Sequence, residues 1–266
     1  PMVVTWIEYW NLKMWIEYAG KIPGIIAYFI QSTAILASKN IIAISSFTAK
    51  NIKKKSTIIL NGVDFQIIDK TLAKRKDIDL IFCGRLIDHK YSQIFLDVVK
   101  AITTCKPQLK VLMIGTGPLK KAIIQKIKEA NLHRNVTLTS NLSEKDYFSY
   151  LSRSKILFLP SEREGFGIVG IEAMACGTFF ATIDSSENAA TELIKCFEHG
   201  YILQKDTRTA AKKIAEVLDE PLLLSKNAIS ERRRYAQQFS WESIALETLK
   251  AYEKATKKHI KQGMPH

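Results

Sequence analysis

The 266-residue chain is poor in cysteine, short of acidic residues and without any long apolar run, and each shortage excludes something. Its four cysteines, Cys83, Cys105, Cys176 and Cys196, lie far apart and form no C-x-x-C pair. Neither a disulfide framework nor a zinc cluster is expected, and a reducing, cytoplasmic setting fits. The five histidines lack ligand spacing, so no metal site is expected. No apolar stretch reaches the roughly 18–20 residues that a membrane span requires, and no secretory leader is recognisable. Asp and Glu number 26 against 39 Lys and Arg, giving a formal net charge of +13. That balance favours anionic partners such as phosphorylated small molecules, anionic lipid headgroups or nucleic acid. The short basic runs Lys53-Lys54-Lys55 and Arg232-Arg233-Arg234 read as solvated surface.

What is present is a strand–helix alternation. From about residue 77, LIFCG (80–84), KVLMIG (110–115), VTLT (136–139), ILFLP (156–160) and FFATI (179–183) are short apolar runs bounded by turn residues. Such runs fit strands of a parallel sheet covered on both faces. Helical patterns fill the intervals at 91–104, 119–131, 144–152 and 167–176, and the chain closes in helices from about Thr207. The alternation predicts an α/β fold with a doubly wound parallel sheet. The opening segment differs. It holds Trp6, Trp10 and Trp15 with Tyr9, Tyr18 and Tyr28, then a long apolar helix to about Ala37 and strands at 41–45 and 57–60. This is about the last third of a Rossmann-like domain. The expected division is 1–74, 75–239 and a closing helix with its tail at 240–266.

In doubly wound sheets ligands sit where strands end in loops, and three glycine-bearing segments fall at such ends. Gly165-Phe166-Gly167 lies between strand 156–160 and the next helix, where backbone amides and a positive helix end suit a pyrophosphate or a sugar with developing charge. Glu164 and Glu172 flank that helix start; as an isolated pair they would merely complement its dipole. Gly84-Arg85, followed by Lys90, offers a planar guanidinium fork and a point charge for a diphosphate. Gly115-Thr116-Gly117-Pro118 lacks a third glycine and marks a tight turn. Asp77-Ile78-Asp79 precedes its strand, at the wrong end of the sheet, and reads as a solvated strand entry. No Ser/His/Asp or Cys/His constellation suggests a nucleophilic hydrolase.

Taken in order, NGVD (61–64), GRL with Lys90, GTGP and PSEREGFGIVGIEAMACG (160–177) resemble glycosyltransferase family 4, a retaining group with the GT-B fold, and FSWESIALETLKAYEK (239–254) resembles that family's last helix. The resemblance implies a partial N-terminal Rossmann-like domain, a complete C-terminal one and C-terminal helices, the last crossing back. It implies transfer of a hexosyl group from a nucleotide diphosphate sugar to a glycan or lipid-linked acceptor, with retention, and without a metal or other cofactor. Arg85 and Lys90 would bind the diphosphate, with Gly84 beside them, and stabilise the leaving group. Glu164 and the amides of Gly165, Phe166 and Gly167, with Ile168, would position the donor sugar, Glu172 the ribose, and 140–143, including Asn141 and Leu142, the base, largely through the backbone. Glu164, Arg85 and Lys90 are the expected catalytic set.

There are departures. Thr178-Phe179 stands where Pro-Val is usual, Ser140 replaces a glycine, and Ile7 stands where the family's T-x-H-E segment has histidine. The chain opens on Pro1-Met2 and has no counterpart of the family's glycine-rich phosphate loop, so a fragment is expected. Two readings follow: an active transferase, or a truncated module that binds donor and transfers nothing. The basic, aromatic start suits an acceptor at an anionic membrane face. No nucleic-acid recognition fold is recognisable.

Overall fold

A computed structural model describes residues 2–196 and 198–263, except for the side chains of 258–263. The chain divides into two compact units, one formed by residues 1–62 with 241–266 and the other by Val63–Ser240.

The first unit begins with β1 (Val3–Trp6), followed by α1 (Leu12–Ala19) and α2 (Lys21–Ala37). Asn11 caps α1 by accepting from the Met14 amide at 3.0 Å. Gly20, at φ 87°, breaks the single apolar helix expected from the sequence into an α1–α2 pair. Gln31 holds the pair together: its Nε2 donates to the Trp10 carbonyl at 2.7 Å, and its Oε1 accepts from Trp15 Nε1 at 3.3 Å. Trp10 packs on Trp15 and Tyr18 with ring centroids 5.0 and 5.1 Å away, so much of the aromatic cluster is spent on this hairpin. Next come β2 (Asn40–Ala43), α3 (Ser46–Ile52) and β3 (Thr57–Ile58), and the sheet order is β1-β2-β3, all parallel.

In the second unit Asp64 of NGVD caps a short α4 (Phe65–Asp69), accepting from Gln66 N at 2.8 Å and Ile67 N at 3.2 Å. This helix packs against elements of the second unit, so the division falls at Gly62 and not at residue 74. There follow β4 (Ile78–Cys83), α5 (Ser92–Thr103), β5 (Val111–Ile114), α6 (Lys120–Glu129), β6 (Val136–Thr139), α7 (Glu144–Arg153) and β7 (Ser154–Leu159). After them come β8 (Arg163–Glu164), α8 (Ile168–Ala175), β9 (Phe179–Ile183), β10 (Glu187–Asn188), β11 (Gly200–Leu203), α9 (Thr207–Leu218) and α10 (Lys226–Gln237). The last helix, α11 (Trp241–Gly263), belongs to the first unit, where Ile244 packs with Ile42 and Ile59.

Six parallel strands form the main sheet in the order β11-β9-β7-β4-β5-β6. The edge strand β11 is absent from the sequence expectation, because Tyr201 and Ile202 face partly outward and leave no apolar run. Leu80, Ile81, Phe82, Phe158 and Phe180 are fully buried, as a sheet covered on both faces requires. Chain order reverses between β4 and β7, the topological switch point at which doubly wound sheets bind ligands. At the opposite, amino end of the strands Arg153 forks onto Asp77 at 2.8 and 2.7 Å, and Lys155 pairs with Asp79 at 2.7 Å. The D-x-D carboxylates are therefore held in ion pairs far from the switch point.

Candidate donor site at the switch point

The two loops that leave the sheet at the switch point are those after β4 and β7. The β4 exit runs Gly84–Ile87 into a 3-10 turn, Asp88–Lys90, and ends at Tyr91 in the left-handed region (φ 51°). Its backbone leans on the β5 exit: Leu86 N donates to the Thr116 carbonyl at 2.9 Å, and Leu119 N donates to that of Leu86 at 3.0 Å. A Cβ on Gly115 would lie 2.1 Å from the Gly84 carbonyl oxygen, so GTGP is consumed in close packing of two loops.

The β7 exit carries β8, which pairs with β10 in register Glu164↔Asn188, and then turns through Gly167 into α8. Gly167 is left-handed (φ 83°), and a Cβ there would meet that of Ala190 at 2.5 Å. Only glycine fits this turn. No side chain caps α8, which leaves its positive end open to an anion.

The structure brings Lys90 and Glu164 together as an ion pair, with side chains 19% and 13% exposed. Ser161 Oγ donates to the same Glu164 oxygen at 3.0 Å. Arg85 lies on the same loop as Lys90 and is exposed; its carbonyl accepts from Ile87 N at 3.1 Å, while its guanidinium makes no hydrogen bond or ion pair with the described residues. Phe166 is 4% exposed, with its ring 6.3 Å from that of Phe239, which leaves its backbone for a ligand. Asn141 is exposed and left-handed (φ 57°) in the loop after β6, with Leu142 half-buried beside it. That loop enters α7, whose cap Ser143 accepts from Asp146 N at 3.1 Å. From α7, Tyr147 donates to Glu172 Oε2 at 2.5 Å, which joins the β6 side of the cleft to α8.

Glu162 and its partners escape sequence reasoning. Its amide donates to the His89 carbonyl at 2.9 Å, and its carboxylate accepts from the Tyr91 hydroxyl and, at 2.6 Å, from Lys205 Nζ. Ser185 Oγ donates to its carbonyl at 2.7 Å. One residue thus stitches the ends of β4, β7, β9 and β11 together. The hydrogen bonds from Lys205 and Tyr91 hold its carboxyl below the usual range. Burial, helped by Arg163, Lys90 and Arg85, pushes His89 down to about 4, so it is neutral at neutral pH. Burial raises the Glu172 carboxyl, and the Tyr147 hydrogen bond opposes that rise. No group of histidines, cysteines and carboxylates suited to a metal ion occurs among the described residues.

Residues 64–238 match the family model described as glycosyl transferases group 1. The chain is 27% identical over 222 residues to an uncharacterized glycosyltransferase of Methanocaldococcus jannaschii, covering 81% of this chain and 60% of the relative. It is 25% identical over 215 residues to glycogen synthase of Mycobacterium tuberculosis, covering 79% and 50% respectively. The chain therefore spans 50–60% of the length of these curated relatives. Among solved structures, sucrose-phosphate synthase from Thermosynechococcus elongatus superposes with a TM-score of 0.79 at 20% identity, over 96% of this chain and 68% of that one. Anabaena HepE in complex with UDP and glucose gives 0.72 at 18% identity, over 96% and 71%. These likenesses show the fold, which is the GT-B fold.

Proposed function

Because the chain belongs to the glycosyl transferases group 1 family, we propose that it holds the nucleotide-sugar site of a retaining, metal-independent hexosyltransferase of glycosyltransferase family 4. The observation that carries this reading is the Lys90–Glu164 pair at the switch point, beside the uncapped start of α8. Lys90 has three N–H donors and gives one to Glu164. Its remaining donors, the Arg85 fork and the α8 amides then neutralise charge growing on the departing nucleoside diphosphate, work that a metal would otherwise do. Glu164 and the backbone of Gly165–Ile168 position the hexosyl group. Glu172 takes the ribose, and Asn141 and Leu142 line the base through the backbone. With the Glu164 carboxylate held by Lys90 and Ser161 in a positioning role, the acceptor enters on the face that the phosphate leaves, and configuration is retained.

The acceptor is a glycan or a lipid-linked sugar at an anionic membrane face on the cytoplasmic side. The support for this is α2. Ile22, Ile26, Phe29, Ile30 and Leu36 are 54–75% exposed along one side of it, and residues 1–62 carry seven lysines against two glutamates. An apolar stripe flanked by lysine suits the headgroup–acyl boundary of anionic lipid. No helix of the described residues is long and apolar enough to cross a membrane.

Thermal stabilisation by UDP, GDP, ADP and their hexose conjugates, compared with Arg85→Ala, tests the donor site. Stabilisation of the wild type that is lost in the variant supports it; none by any nucleotide overturns it. A second reading, a donor-binding module without transfer, is favoured by Ile7 at the family's histidine position, and that side chain is 66% exposed. Binding without turnover would establish it.

A further inference from the structure

Glu172 lies in the second turn of α8 between Ile171 and Ala173, both fully buried, so the helix allows its carboxylate little freedom of placement. The side chain has one hydrogen bond among the described residues, from the Tyr147 hydroxyl to Oε2, and Oε1 accepts none. A carboxylate offers acceptor sites on both oxygens, so the capacity of Oε1 is unspent. Tyr147 is placed by two independent features. It sits in the first turn and a half of α7, directly after the loop that carries Asn141 and Leu142, and its ring packs edge-on against Phe148 at 5.2 Å. Burial pushes its phenol well above the ordinary range, so it donates rather than ionises.

We propose that Tyr147 is a positioning residue that fixes the Glu172 carboxylate through Oε2. Oε1 is thereby left to accept from the ribose hydroxyls of the donor, and the preference for ribo- over deoxyribonucleoside diphosphates depends on this bond. The inference rests on the reading of the cleft as a nucleotide-sugar site. A bound base and ribose would then be held by one connected piece, because the residue that orients the ribose acceptor stands on the helix that the base-lining loop begins. In physical terms Tyr147 removes the rotation about the outer bonds of Glu172 before the ligand arrives, so less ordering is left to oppose binding.

The test is calorimetric titration of the whole chain with UDP, GDP and ADP, followed by the 2′-deoxy and 3′-deoxy forms of whichever binds most tightly. The wild type is expected to prefer the ribonucleotide by about tenfold, the factor that one hydrogen bond to a charged group contributes. In Tyr147→Phe that preference falls severalfold, while the affinity for inorganic pyrophosphate, which has no ribose, stays unchanged. A structural role alone would weaken both probes together and leave the ratio intact, which overturns the inference. Phe keeps the ring against Phe148. If the variant nevertheless fails to fold, Glu172→Ala serves in its place, since it removes the acceptor and must also abolish the preference; a preference retained there overturns the inference too. If the wild type binds no nucleotide, the donor-site reading itself fails. Wild-type ribose preference persisting in Tyr147→Phe sinks only the role of Tyr147.

Discussion

The ammonium of Lys90 is hydrogen-bonded to the carboxylate of Glu164, 74 positions away in the chain and across the point where strand order reverses. Each group stands in a loop stitched to the other by Glu162, so the pair is held before any ligand arrives. Lys90→Ala is expected to weaken binding of the preferred nucleoside diphosphate by about 10–100-fold, since charged hydrogen bonds contribute ~1.5–3 kcal/mol. Titration calorimetry reads this directly, and an unchanged affinity would exclude Lys90 from the diphosphate site.

Gly167→Ala introduces a Cβ 2.5 Å from that of Ala190 at φ 83°. Strain of this kind costs about 1–3 kcal/mol. Gly84→Ala meets only the Phe82 ring, at 3.7 Å, and leaves stability nearly unchanged. Urea midpoints of the two variants should separate clearly; equal midpoints would contradict the account of the α8 turn.

His89 makes stability depend on pH. Its folded pKa, about 4, lies below the ordinary 6.5, so between those values the unfolded chain binds more protons. Its contribution is present in full above about pH 6.5 and is lost as pH falls towards 4. Urea titrations across that window should show stability declining in the wild type and declining less in His89→Gln. Parallel slopes would remove His89 from the explanation.

Arg232 is fully buried and donates to the carbonyls of Gly177 (3.2 Å), Glu198 (2.9 Å) and Leu223 (2.6 Å). Burial lowers its pKa only to about 10, so it stays charged. Arg232→Met orphans three acceptors and should cost ~3 kcal/mol or more. A fall in thermal midpoint of a degree or less would refute this.

Phe29→Asp places a charge in the middle of the exposed α2 stripe. Sedimentation with phosphatidylserine-containing vesicles at low salt should recover the wild type and lose the variant. Equal recovery would show that the stripe does not meet lipid.

Much of the second unit is legible in the sequence. Five of the six main strands announce themselves as apolar runs, because a parallel sheet covered on both faces demands them. The strand-end glycines stand out because their backbone positions tolerate little else, as Gly167 and Gly115 illustrate. The sixth strand, β11, lies at the edge with Tyr201 and Ile202 partly outward, so its pattern is too weak to see. Strand β1, VVTW, is likewise only half-buried and too short to show a pattern. That the Phe166 ring is buried near Phe239, leaving its backbone for a ligand, is set by packing and not by the two glycines beside it.

The sequence by itself determined the kinds of element, their order and the loops rich in chemistry, because local patterning and turn residues encode those directly. Only the tertiary structure decided which side chains meet. Lys90 finds Glu164, Tyr91 and Lys205 find Glu162, and Tyr147 finds Glu172 through strand order, which sets segments separated by 25 to 74 residues side by side. Pairings of that kind leave no periodicity in a chain, since they depend on where whole elements pack and not on what lies next to them.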